Sequence, residues 1–262
     1  MDERLDLITS WTDRLADLVA AEPEAPVAAC PGWTLRDLGT HLHEVHAFWT
    51  HVIATRPAGP EGHEAPAAPT DDHLPAALRA QVRRLRDALA AADPADDAWS
   101  WAVEQTVGFT VRRQTHEALI HLFDGVLAVD GAPHPDVPVA VAADGVDEMF
   151  SVMLGGLPSS WTFEPDGVTF RIDATDAGRS WTFGFGQFSG TTSDGRSMDG
   201  TAVAPVGDEP AADDRAADVR IAGAALDLDL WLWGRADTSA LAITGDDAVA
   251  ARLRALAADS LS

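Results

Sequence analysis

The stretch Arg112-Arg113-Gln114-Thr115-His116-Glu117-Ala118-Leu119-Ile120-His121-Leu122-Phe123-Asp124 contains neither glycine nor proline and reads as a helix. Its polar residues are spaced by helical turns. Glu117 and His121, four apart, share one face, and Asp124 follows a turn later beside His121. Around them Ala118, Leu119, Ile120, Leu122, Phe123, Val126 and Leu127 are apolar nearly all the way round, the pattern of a helix central to a bundle rather than lying on its surface. Carboxylate and imidazole are therefore carried indoors. A buried Glu is costly unless it is paired, hydrogen-bonded or bound to a cation, and Glu with His at one-turn spacing suits a divalent metal. A hydrogen-bonded Glu-His pair inside a core accounts for this helix equally well, and the helix alone leaves both readings open.

Upstream, Leu5, Ile8, Leu15, Leu18 and Val19 recur at helical spacing and predict a first helix to about Ala21. Pro23, Pro26 and Pro31 break the pattern, and Thr34, with Asp37 three residues on, reads as the N-cap of a second helix over about Leu35 to Ala54. Its stripe Leu38, His41, Val45, Phe48, Val52 puts His41 in a core-facing slot where an aliphatic residue is expected. His46 lies nearer the Leu42, Trp49, Ile53 side, while His43 and His51 read as solvated. Arg56 to Pro69 is a loop by its Pro, Gly and Ala content. A third helix spans about Pro75 to Ala92, its arginines taken as solvated ion-pair partners. Trp99, Trp101 and Val107 to Val111 suggest an extended segment or hairpin before the quoted helix, the fourth, which ends near Asp130-Gly131. Pro135 and Pro138 open a fifth helix reaching about Met153.

After Pro158 the periodicity changes from helical to alternating. Trp161 to Phe163, Val168 to Ile172, Trp181 to Phe185, Val219 to Ile221 and Leu241 to Thr244 read as strands of an antiparallel sheet. Ala224 to Trp233 and Asp246 to Ala257 read as helices, and Gly190 to Asp214 fits a long loop or unplaced strands. The expectation is an all-α bundle over residues 1–157 followed by a smaller α+β domain over 158–262.

Composition narrows the function. All 18 basic residues are Arg, and the formal net charge of -24 repels phosphate backbones and anionic membrane surfaces, which argues against nucleic-acid binding. Richness in Ala, Asp and Arg without Lys resembles a high-GC bacterial or salt-adapted proteome. Cys30 is the single cysteine, which excludes an intrachain disulfide. Beside Pro31, with no activating cation near in sequence, it reads as a small buried hydrophobe. No apolar run approaches membrane-spanning length, and Met-Asp-Glu-Arg at the start lacks the pattern of a signal peptide. The expectation is a soluble cytoplasmic protein.

Three motifs occur in order. Pro31-Gly32-Trp33-Thr34-Leu35-Arg36-Asp37-Leu38-Gly39-Thr40-His41-Leu42, then Arg113 with Glu117, His121 and Asp124, then Val219 to Arg235 ending Leu232-Trp233-Gly234-Arg235, together resemble the mycothiol-dependent maleylpyruvate isomerase family. The resemblance implies a DinB-like four-helix bundle followed by a sterol-carrier-like domain. It also implies a metal held by His41, Glu117 and His121, with zinc or another divalent ion as cofactor and mycothiol as cosubstrate. Two His and one Glu leave the open position that a catalytic zinc needs. Asp124 then fits the outer hydrogen-bond partner of an imidazole better than a fourth ligand. His116 and His121 are five apart and diverge on a helix, so the zincin pattern fails and His116 is expected at the rim. Arg235 is the candidate cationic clamp for an anionic substrate or thiol cofactor, pairing with Asp229 or Asp237 being the plainer alternative, and Arg113 is taken as a surface cation in preference to another clamp. The implied function is a zinc- and thiol-dependent isomerase or S-transferase acting on a small electrophile. The alternatives are a metal hydrolase that activates water and a non-catalytic metal or small-molecule binding module.

Overall fold

The structure is a computed structural model that describes residues 1–192, 195–206 and 217–260. The chain divides into two compact units, Met1–Asp136 and Val137–Ser262. In the first, helices α1 (Asp2–Ala21), α2 (Leu35–Thr55), α3 (Leu74–Ala90) and α4 (Val107–Ala128) pack as a bundle. Leu15, Leu38, Leu42, Leu78, Val82, Leu85 and Leu119, all fully buried, fill its centre.

Helix α2 starts where the sequence places its start. Thr34 is extended and closes a full capping box: the Asp37 amide donates to Thr34 Oγ1, and the Thr34 amide donates to Asp37 Oδ2 at 2.8 Å. Thr34→Ala will therefore cost about 1 kcal/mol of stability by urea unfolding, with no change in the helices formed. Helix α4 begins earlier than expected. Val107 to Val111, strand-like in composition, is its first turn, because Thr106 accepts from the Phe109 amide and sets the helix going. Only an isolated bridge between Asp97 and Thr106 remains of the expected hairpin.

The buried stripe of α2 also differs. Leu38, Leu42, His46, Trp49 and Ile53 face the core, while His41, Val45 and Phe48 form a half-buried edge. His41 is thus placed where a solvent-reachable site needs it rather than in the core line. His43, taken as solvated, is only 7% exposed, and burial foremost, with Arg84 acting in the same direction, keeps its imidazole pKa below the ordinary range.

The second unit opens with α5 (Val139–Glu148), which runs into a π-helical turn over Met149–Met153. The sequence groups this segment with the bundle, with a boundary near Leu157. Its packing is instead against α6 (Ala225–Leu232), so close that a Cβ on Gly145 would stand 2.5 Å from the Asp229 carboxylate. Strands β1 (Thr162–Ala174), β2 (Arg179–Thr191), β3 (Ser197–Pro205), β4 (Val219–Gly223) and β5 (Ala242–Gly245) form one sheet in the order β3-β2-β1-β4-β5, and α7 (Asp247–Ser260) closes the chain. Three pairings are antiparallel as expected; β1 and β4 run parallel, Phe170 opposite Val219, so the sheet is mixed. Phe170, Phe183 and Phe185 alternate onto the face that meets Phe150, with the Phe150 and Phe183 rings 4.7 Å apart. Strand β3 answers part of the unplaced Gly190 to Asp214 stretch; residues 193–194 and 207–214 of it lie outside the described residues. Among the described residues no helix is long and apolar enough to cross a membrane.

Candidate metal centre

The turn that follows Pro31 and the capping box of Thr34 fix where α2 starts, and seven residues on His41 faces α4. There His41 Nε2 lies 3.4 Å from Glu117 Oε1, and His121 Nε2 lies 3.2 Å from the same oxygen. One atom from each of the three residues falls within 4.8 Å of the other two. The His41 and His121 rings meet edge to face, centroids 5.0 Å apart. Side-chain exposure falls from 34% at His41 to 19% at Glu117 and 13% at His121, so the group opens on the α2 side.

The residues behind these three hold them. His121 Nδ1–H donates to Asp124 Oδ2 at 2.9 Å, which leaves Nε2 facing Glu117. Asp124 is 1% exposed, and Cys30 Sγ donates weakly to the same oxygen at 4.0 Å. Cys30, expected as a buried hydrophobe, is half-buried in the loop between α1 and α2. Arg113, expected on the surface, is 4% exposed, with Nη2 3.4 Å from Glu117 Oε2. The i,i+4 spacing from Arg113 to Glu117 was the available signal for that pair. Trp33 lies against the His41 ring, centroids 5.2 Å apart. His116, expected at the rim, is fully buried, because α4 is covered on nearly every side and has no rim at that position.

The electrostatics follow from burial opposed by charge. Burial raises the Glu117 carboxyl, but the charge of His121, hydrogen bonds from His121 and His41, and Arg113 hold it well below the usual carboxylate range. Burial lowers His121, yet Glu117 and Asp124 carry it up to about 9. Without a metal the pair is a carboxylate-imidazolium ion pair.

The donor set fits a divalent ion of the zinc type. Two imidazole nitrogens and one carboxylate oxygen are zinc donors, and bonds of about 2.0–2.1 Å in a tetrahedral site set donor atoms roughly 3.3 Å apart. The two separations of 3.2 and 3.4 Å from Glu117 Oε1 match that spacing. Arg235, the candidate clamp, belongs to the second unit, half-buried just past α6, where Nη1 donates to the Trp233 carbonyl at 2.6 Å.

Comparison with known proteins places the fold and the family. Residues 5–124 match the mycothiol maleylpyruvate isomerase N-terminal domain, and residues 140–252 match the MDMPI C-terminal domain. No curated protein sequence matches the chain. A crystal structure of the mycothiol-dependent maleylpyruvate isomerase superposes with a TM-score of 0.58 at 17% identity, covering 93% of this chain and 92% of that one. The crystal structure of a histidine-to-alanine mutant of the mycothiol-dependent maleylpyruvate isomerase matches with the same values. At that identity the likeness speaks for the fold, and the two domain models, matched in order over most of its length, place the chain in the mycothiol-dependent maleylpyruvate isomerase family.

Proposed function

We propose that this chain is a metal- and mycothiol-dependent isomerase or S-transferase acting on a small, maleylpyruvate-like electrophile. The observation that carries the reading is the convergence of His41, Glu117 and His121 from two facing helices onto one spot. His41 and His121 would hold the ion through Nε2 and Glu117 through Oε1. A divalent ion such as zinc, when bound there, supplies a lowered thiol pKa, so that thiolate is available at neutral pH. Asp124 holds the Nδ1 proton of His121 and so makes Nε2 the nitrogen that would serve as the ligand. Arg113 occupies the second oxygen of Glu117, which leaves one oxygen for the ion. The His121 proton on Nε2 must leave for the ion to enter, since only neutral imidazole ligates. In the isomerisation, the thiolate adds to the conjugated double bond and the electron pair moves onto the carbonyl as an enolate, the resulting single bond rotates, and elimination restores the double bond and releases the thiolate. Cys30 is not needed as the nucleophile.

The test is direct. Protein purified without chelator is expected to hold about one zinc per chain and to turn over maleylpyruvate only when mycothiol is present. A protein that takes up no divalent ion even after reconstitution overturns the metal reading. Hydrolysis that needs zinc but no thiol would mark a metal hydrolase instead.

A further inference from the structure

About one turn below the candidate metal centre a third imidazole lies wholly inside the bundle. His46 of α2 is fully buried, and both ring nitrogens are engaged by other helices: Nδ1 is 2.9 Å from Gln114 Oε1 on α4, and Nε2 is 3.1 Å from Thr12 Oγ1 on α1. Gln114 and Thr12 are themselves fully buried. With Gln114 Oε1 accepting, Nδ1 carries the proton and Nε2 accepts from the Thr12 hydroxyl, so one tautomer satisfies both bonds. Burial keeps this ring neutral, pushing its pKa down to about 4. It is no ligand: its two nitrogens are spent on side chains that cannot be exchanged without breaking the core. Apolar contacts alone specify the register of two helices less sharply than a buried polar pair does, because the pair is satisfied in one register only. Gln114 stands three residues before Glu117 and His46 five after His41, so the bond between them fixes the same two helix segments whose side chains must meet one turn away.

We infer that His46 is a positioning residue: its bond to Gln114 locks the register of α2 against α4 and thereby brings His41 onto the Glu117/His121 pair. The inference rests on the metal reading above. The two arms of the ring can be severed separately. An asparagine amide overlies Nδ1 and keeps the Gln114 arm, whereas a glutamine amide overlies Nε2 and keeps only the Thr12 arm. Val52, fully buried one and a half turns further along α2 and outside the network, supplies a packing control. Zinc affinity, by competition with a chromophoric chelator, and thermal unfolding of the metal-free protein are read for wild type, His46→Asn, His46→Gln and Val52→Ala. The expected result is zinc binding within about threefold of wild type for His46→Asn and Val52→Ala, and weakening on the order of tenfold or more for His46→Gln, the size of an outer-shell defect. If His46→Gln does not fold, Gln114→Met cuts the same link from α4 and is expected to weaken zinc equally. Zinc affinity that merely follows thermal stability across the series, or is unchanged throughout, overturns the inference while leaving the metal centre standing. A wild type that binds no divalent ion overturns both.

Discussion

Glu117→Gln is expected to retain the helices and, on the metal reading proposed above, to lose zinc binding. The carboxamide has the shape of the carboxylate, and with its one oxygen turned to His41 and His121 it still accepts from both, while its NH2 faces the Arg113 guanidinium and that one contact is lost, so the packing of α2 on α4 survives. What disappears is the negative charge that those three groups hold in place against the cost of burial. A neutral amide oxygen is a weak partner for a divalent ion, and loss of a ligand should exceed the roughly 10–100-fold seen when outer partners are removed. Zinc affinity is therefore expected to fall at least about a hundredfold, and mycothiol-dependent turnover with it, while far-ultraviolet circular dichroism stays that of wild type. The metal-free variant carries a second signal. His121 is raised to about 9 because Glu117, with Asp124, outweighs burial. With Glu117 neutral, burial regains weight and the His121 pKa should move down, which an NMR titration of the ring protons reads directly. Zinc bound by the variant as tightly as by wild type would remove Glu117 from the site.

The bundle was legible in the sequence because helical periodicity and capping are local properties. Leu5 to Val19, the Thr34/Asp37 box and the apolar ring around Glu117 all act within a few turns, and each specifies its helix without knowledge of the rest. The three site residues were named partly from spacing and partly from the family resemblance, and the structure brings them within reach of one another. What was not legible depends on packing partners distant in sequence. Whether α5 belongs to the bundle or to the sheet is decided by Gly145 meeting Asp229, more than eighty positions on, and no periodicity in α5 reports that. The parallel pairing of β1 with β4 is equally non-local. Strand β3 hides because Gly200, Thr201 and Ala202 give little alternation to read. Arg113 was misplaced by taking a helix cation as solvated; on a helix covered on nearly every side that expectation reverses, and the cation must sit by a carboxylate such as Glu117.

The buried imidazole of His46 makes the bundle sensitive to acid in a way that can be isolated. Its pKa is about 4 in the folded protein against an ordinary 6.5, because burial disfavours the charged ring by more than Gln114 and Glu117 favour it. The sign follows from which state binds the proton first. Between pH 6.5 and 4 the unfolded chain is protonated at His46 and the folded chain is not, so stability falls as pH falls through that window. Above 6.5 and below 4 this residue contributes no further slope. The difference of about 2.5 pKa units corresponds to about 3 kcal/mol lost from pH 7 to pH 4. His46→Leu removes this titration. At pH 7 the variant is expected to be the less stable protein, since Gln114 and Thr12 lose their buried partner. As pH falls, the carboxylates elsewhere titrate alike in both proteins, and the wild type loses about 3 kcal/mol more. Urea unfolding of the two metal-free proteins at pH 7, 5.5 and 4 should thus show their stabilities converging and then crossing. Two curves that stay parallel across the window would mean that the ring reaches water or a proton in the folded state, and that the Thr12-His46-Gln114 network is open rather than closed.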